Sequence, residues 1–157
     1  MHPSTSQGIH VKSLVLLAAL SCSLAAHAEV KVSDAWVRGT VAAQKSTGAF
    51  MTLSSDQPVS LVAVSSPAAR IVEVHEMKMD NHVMMMQAVP RLDIVPGKPV
   101  QLKPGGYHVM LIDLVKPLSK GGTVALMLEF KGADGKSSRQ AVTAEVRDLT
   151  AAAHAQQ

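Results

Sequence analysis

The chain has 157 residues, of which 47% are hydrophobic but only 3% aromatic, and its formal net charge is +3. It contains nine Met but only two Phe, one Trp and one Tyr, which is an unusual balance for a soluble domain. The length predicts one domain. The Lys and Arg residues are scattered and have almost no aromatic side chains between them, which argues against a nucleic-acid surface.

Residues 1–28 are typical of a secretory signal peptide. A weakly basic start is followed by an apolar stretch over 13–26, and Ala26-His27-Ala28 predicts cleavage before Glu29 and a periplasmic protein. Lipidation of Cys22 is not expected, because the Leu that usually precedes such a cysteine lies one place too late. The secreted chain would then contain no cysteine, which excludes thiol catalysis, disulfide exchange and thiolate-based zinc or copper sites.

In chain order, short apolar runs separated by Gly, Pro and Asp/Asn turns predict ten strands and no sustained helix. The predicted strands are 32–38, 48–54, 59–64, 71–77, 82–89, 92–95, 99–102, 107–114, 123–130 and 139–146, with a hairpin turn at 79–81. Such spacing favours one all-β domain over 29–149, an antiparallel sandwich or barrel, with 150–157 as a flexible tail. Trp36, Met51 and Met127 are expected in its core.

Five of the eight methionines after the initiator lie in the ten residues 77–86. Methionine can serve as a gap filler in a core, but a core would not place it at a turn that also contains Lys78, Asp80 and Asn81. Two His-x-Met pairs, at His75 and at His108, add imidazole to this sulfur-rich set. A single His is more often structural, but imidazole together with thioether suits Cu(I) and does not suit Mg, Ca or Mn.

The spacing of four of these residues is more specific. Ten residues separate His75 from Met86, 21 separate Met86 from His108, and one separates His108 from Met110. This pattern resembles the signature of the periplasmic copper chaperone family called PCu(A)C. The resemblance covers six segments in the same order, three of which contain these four residues: Ala35-Trp36-Val37-Arg38, Gly48-Ala49-Phe50-Met51, Val74-His75-Glu76-Met77, Val83-Met84-Met85-Met86, Pro104-Gly105-Gly106 and His108-Val109-Met110-Leu111.

The resemblance implies a cupredoxin-like Greek-key barrel that binds one Cu(I) per chain through His75, Met86, His108 and Met110. It also implies delivery of copper to the dinuclear centre of cytochrome c oxidase, often together with a Sco-type thiol protein. We therefore expect a copper carrier, not an enzyme, which acts as a monomer without a membrane span or nucleic acid. Two alternatives stay open: a periplasmic copper buffer or resistance protein without a dedicated recipient, and a secreted β-sandwich ligand-binding module.

Several neighbours of the four ligands remain open at the level of sequence. Strand alternation lets Met84 and Met86 share a face, with Met85 directed inward. The residues that we consider as auxiliary metal ligands are Met77, Met79, His82 and Met84. The carboxylates that could orient an imidazole are Glu73, Glu76 and Asp80. Tyr107 either packs over the site or closes a turn, and His154 is expected to be a solvated tail residue.

Overall fold

The computed structural model describes residues 29–148, in which all ten predicted strands are present and no helix occurs. The strands are β1 Val30–Arg38, β2 Ser46–Ser55, β3 Val59–Ser65, β4 Ala69–Asp80, β5 Val83–Ala88, β6 Leu92–Ile94, β7 Val100–Leu102, β8 Tyr107–Leu114, β9 Thr123–Gly132 and β10 Ser137–Arg147. The all-β prediction is therefore confirmed. The segments 1–28 and 149–157, which include Cys22 and His154, lie outside the described residues.

The strands form a single mixed sheet in the order β5-β4-β8-β2-β1-β10-β9-β3-β6, with β7 paired to the second half of β2. Many neighbours are distant in sequence, as a Greek-key arrangement requires. The prediction of a purely antiparallel sheet is wrong at one place, because β1 and β10 run parallel. Both are long enough to pair along the sheet, and eight other strands separate them in the chain, so no tight turn dictates their direction.

A β-bulge in β1 decides which side chains face outward near the centre of the sheet. The register between β1 and β2 shifts by one residue between Ser33 and Trp36, next to Asp34 with its positive φ of 49°. Because side chains alternate with period two, one extra residue exchanges the two faces. Val37 consequently enters the core opposite Ala49, and Trp36 lies on the outer face.

The core consists of aliphatic side chains on the inner face of the sheet, together with Phe130 of β9. Within residues 29–148, every strand except β5 contributes at least one buried residue to it. Met51 is buried there, as expected, but Met127 is 39% exposed, so its assignment to the core was wrong. Its neighbours in β9, Leu126 and Leu128, occupy the inward positions, and strand alternation leaves Met127 on the outside.

The hairpin that joins β4 and β5 turns one residue later than the sequence predicts. Asp80 pairs with Val83, so the turn residues are Asn81 and His82, and His82 does not belong to the strand. Both have positive φ, 46° and 65°, which is the requirement of the tight two-residue turn with the correct twist for a hairpin. Asn tolerates this backbone better than most residues, which explains the position of the turn.

Across residues 29–148 no helix is long and apolar enough to cross a membrane.

Candidate metal centre

Three of the four predicted ligands lie side by side on the outer face of β4 and β8. His75 pairs directly with His108, and the two imidazole centroids are 6.0 Å apart. Met110 lies two residues after His108 and therefore on the same face. The sheet thus brings together two residues that are 33 positions apart in the chain.

Met86 lies on the same face, one step towards the free edge of the sheet. It pairs with Met77, which is two residues from His75, so Met86 is a diagonal neighbour of His75, within reach of a long side chain. Met84 pairs with Met79, which is four residues or about 13 Å from His75 along β4. The register therefore favours Met86 over Met84 as a partner of the two histidines.

The His75 ring is held in a defined tautomer by a neighbouring carboxylate. Its Nε2–H donates to Glu73 Oε2 at 2.8 Å, which leaves a lone pair on Nδ1. Nδ1 is buried and has no hydrogen-bond partner. A buried imidazole nitrogen without a partner is costly unless a ligand uses it, and a carboxylate on the opposite nitrogen is the usual arrangement behind a metal-bound histidine. Glu73 was one of three carboxylates considered from sequence, and it is the one that contacts His75.

His108 is held in the opposite tautomer by the backbone. Its Nδ1–H donates to the carbonyl oxygen of Gly106 at 2.9 Å, which leaves the lone pair on Nε2. The ring is buried, and this desolvation lowers its pKa below the ordinary 6.5, with smaller contributions from His75 and Arg38. Burial therefore keeps the imidazole neutral, which is the form that binds a metal.

An aromatic cluster supports His108 from the side away from β4. Trp36 and Phe50 stack with centroids 4.5 Å apart, and Phe50 lies 6.5 Å from the His108 ring. The Arg38 guanidinium lies over Phe50 at 5.6 Å. Trp36 is buried as expected, but on the outer face and outside the aliphatic core. Sequence reasoning missed this role because no sequence signal marks the bulge in β1.

The other residues considered from sequence lie away from the four ligands. Glu76 and Tyr107 pair on the reverse face, where burial and the Glu76 carboxylate raise the pKa of Tyr107, so Tyr107 does not cover the site. Asp80 is also on the reverse face, and His82 is in the turn. Met85 lies opposite Lys78 on the reverse face, which is the predicted direction, but it is 53% exposed because β5 is an edge strand whose six residues are all exposed.

The four predicted ligands together offer two imidazole nitrogens and two thioether sulfurs on one face of the sheet. In residues 29–148 no group of three or more His, Cys, Asp or Glu side chains is arranged to hold a metal, so the described chain has no conventional oxygen-rich or His/carboxylate site. A thioether and imidazole set of this kind suits a soft monovalent ion. Fold and site together define an all-β domain with a His/Met cluster on the outer face of its sheet.

Comparison with known proteins places this domain in a family. Residues 30–146 match the family model described as "Putative lipoprotein LpqE-like". The chain is 32% identical over 124 residues to "Putative lipoprotein Lxx21020" of Leifsonia xyli subsp. xyli, an alignment that covers 78% of this chain and 72% of the relative. The protein belongs to the LpqE-like family.

Two solved structures have the same fold. The solution structure of CuI-DR1885 from Deinococcus radiodurans is 33% identical, with a TM-score of 0.54, and the match covers 74% of this chain and 76% of that one. The copper-bound PCuAC domain from PmoF2 is 23% identical, with a TM-score of 0.61, and the match covers 78% of this chain and 98% of that domain. The PCu(A)C-like fold that the resemblance predicts is therefore confirmed.

Proposed function

We propose that this protein is an extracytoplasmic Cu(I) carrier that binds one copper ion through His75, Met86, His108 and Met110. The observation that supports this proposal best is the pair of imidazoles, each held by a hydrogen bond that leaves one nitrogen lone pair free next to the thioethers. The copper-bound relatives support the same metal. Soft thioether and borderline imidazole ligands select Cu(I) over hard cations.

The carrier acts by ligand exchange and not by catalysis. Met86 is 49% exposed on an edge strand, so ligands of a docking protein can approach the copper from that side. His108 is buried and rigidly held, so it is the last ligand to leave. Exchange then proceeds from thioether to imidazole, and copper remains Cu(I) throughout.

The recipient in this proposal is the dinuclear copper centre of cytochrome c oxidase, with a Sco-type thiol protein as a possible intermediate partner. The PCu(A)C-like spacing supports this recipient. The lipoprotein description of the family and of its relative supports a location outside the cytoplasm. A copper buffer would share the same site and differ only in having no dedicated recipient. Transfer to a copper-free oxidase subunit domain should therefore be faster than loss to a small chelator of equal affinity. Equal rates would favour the buffer.

The metal site itself is tested by anaerobic Cu(I) titration against a competing chelator. We expect one tightly bound equivalent, weakened by at least about tenfold in Met86→Leu and in His108→Ala, because each change removes one ligand. Met127→Leu replaces an exposed methionine on β9 and is the matched control. Absence of a tight equivalent in the unmodified protein, or unchanged affinity in both ligand variants, would refute the assignment.

A further inference from the structure

Beyond the candidate site, the β4–β5 hairpin extends past the rest of the sheet as a two-stranded arm, residues 77–86. The neighbouring strand β8 begins at Tyr107, which pairs with Glu76, and the Met77 N–H donates to the Gly106 carbonyl at 3.2 Å. From there to the turn, β4 pairs with β5 alone. All six residues of β5 are exposed, so the arm projects into solvent on both faces.

The two faces of this arm differ in chemistry. Met77 pairs with Met86 and Met79 pairs with Met84, so four thioethers share the face that carries His75. The reverse face pairs Lys78 with Met85 and Asp80 with Val83, so both charged side chains of this part of β4 lie there. No charged side chain therefore interrupts the four thioethers on the face of His75.

The outer pair of methionines has no packing role. Met79 is 60% exposed and Met84 is 50% exposed, and neither belongs to the core. Opposite residues on neighbouring strands have Cβ atoms about 4.5–5.5 Å apart, and each Met side chain has three rotatable bonds, so both sulfurs can reach one ion. This pair lies about 7 Å beyond Met77 and Met86, one step further from the histidines.

We propose that Met79 and Met84 form a second, weaker Cu(I) position at the outer end of the arm, through which copper enters and leaves the His75 site. This inference rests on the proposed function. The Met77 and Met86 pair lies between the two positions, so an ion moves along the arm by replacing one thioether with the next. Copper remains Cu(I), and no electron or proton is transferred. Two thioethers without imidazole hold the ion less tightly than the site at the base.

The experiment is an anaerobic Cu(I) titration of the full chain with chelators of graded affinity. We expect a second, weaker equivalent after the first, and its loss in the Met79→Leu/Met84→Leu double variant. The first equivalent should change by less than about threefold, because positions that share no ligand act independently. Met85→Leu is the matched control, since this methionine has similar exposure on the reverse face of the same strand.

Two further measurements follow copper along the arm. In the unmodified protein, the methyl carbon resonances of Met79 and Met84 should move only after the first equivalent is bound. Copper transfer to an acceptor should be slower in the double variant than in the unmodified protein. Unchanged stoichiometry and unchanged transfer rate in that variant, or equal effects of Met85→Leu, would overturn the inference. Absence of the first, tight equivalent in the unmodified protein would instead refute the proposed function, and the two failures are thereby distinguished.

Discussion

Glu73 provides a direct test of how the site holds copper, because its carboxylate fixes the tautomer of His75 through a 2.8 Å hydrogen bond. Glu73→Gln removes the negative charge but keeps an oxygen that can accept the same N–H. Glu73→Ala removes both the charge and the acceptor. Comparison of the two variants therefore separates the electrostatic contribution to copper affinity from the orientation of the ring.

The expected magnitude follows from the geometry. The ring lies between the carboxylate, 2.8 Å from Nε2, and a copper ion on Nδ1, which places charge and metal about 7 Å apart. The Glu73 side chain is 47% exposed, so an effective dielectric constant of about 40–80 applies, and the attraction is about 0.6–1.2 kcal/mol. Glu73→Gln should weaken Cu(I) binding about three- to eightfold, and Glu73→Ala about tenfold or more, as is usual for partners of metal-bound histidines.

The assay is competition with a Cu(I) chelator at fixed pH and low ionic strength. Glu76→Gln is the control, because it removes an equal charge from the reverse face of the same strand, where Glu76 lies opposite Tyr107. The reasoning is refuted if Glu73→Gln binds copper as tightly as the unmodified protein. It is equally refuted if Glu76→Gln weakens binding to the same extent.

Three further predictions concern pH, a surface hydrogen bond and packing beside the site. The contribution of a neutral His108 to Cu(I) affinity should be lost with decreasing pH only below 6.5, because burial lowers the pKa of His108 from that value and keeps its imidazole neutral down to a lower pH. A constant affinity in competition titrations from about pH 8 to pH 4.5 would contradict this. Ser60→Ala removes the 2.6 Å hydrogen bond that does most to lower the pKa of Asp93. The pKa of Asp93 should therefore rise towards 3.8 in an NMR titration of its carboxyl carbon, and an unchanged pKa would contradict this. The stabilisation that Asp93 contributes is present above 3.8 and is lost as the pH falls through its lowered pKa, so the variant should lose less stability in acid. Gly48→Ala would place a methyl group 2.7 Å from the Phe50 ring and should destabilise the fold by about 1–3 kcal/mol in urea unfolding, whereas an unchanged midpoint would show that the ring can move freely.

The strands were predictable because their signals are local. Alternation such as Val124, Leu126, Leu128 and Phe130 in β9 marks the inward positions directly, and Gly or Pro marks most turns. The turn after β4 was displaced by one residue because Asp80 and Asn81 are both good turn residues. Only the register with β5 selects between them.

The candidate site was predictable in its residues but not in its geometry. The spacing from His75 to Met110 indicates which side chains belong together, but a spacing does not state which face they share. Met86 is closer to His75 than Met84 is, and only the pairing of β5 with β4 shows this. Strand alternation already puts Glu73 on the face of His75 and Glu76 on the other face, but only the structure shows the 2.8 Å hydrogen bond to Glu73.

The excess of methionine over aromatic residues is a property of the sequence alone, and it determines the kind of ligand that this protein can offer. Composition and spacing are sufficient for that, because ligand chemistry belongs to the side chain and not to the fold. The tertiary structure decided the two imidazole tautomers, the aromatic support of His108 and the projecting arm. The aromatic support and the arm depend on a bulge and on strand neighbours that are far apart in the chain, and no local pattern encodes them. Each tautomer depends on a hydrogen bond to a residue only two positions away, but the folded backbone decides whether that bond forms.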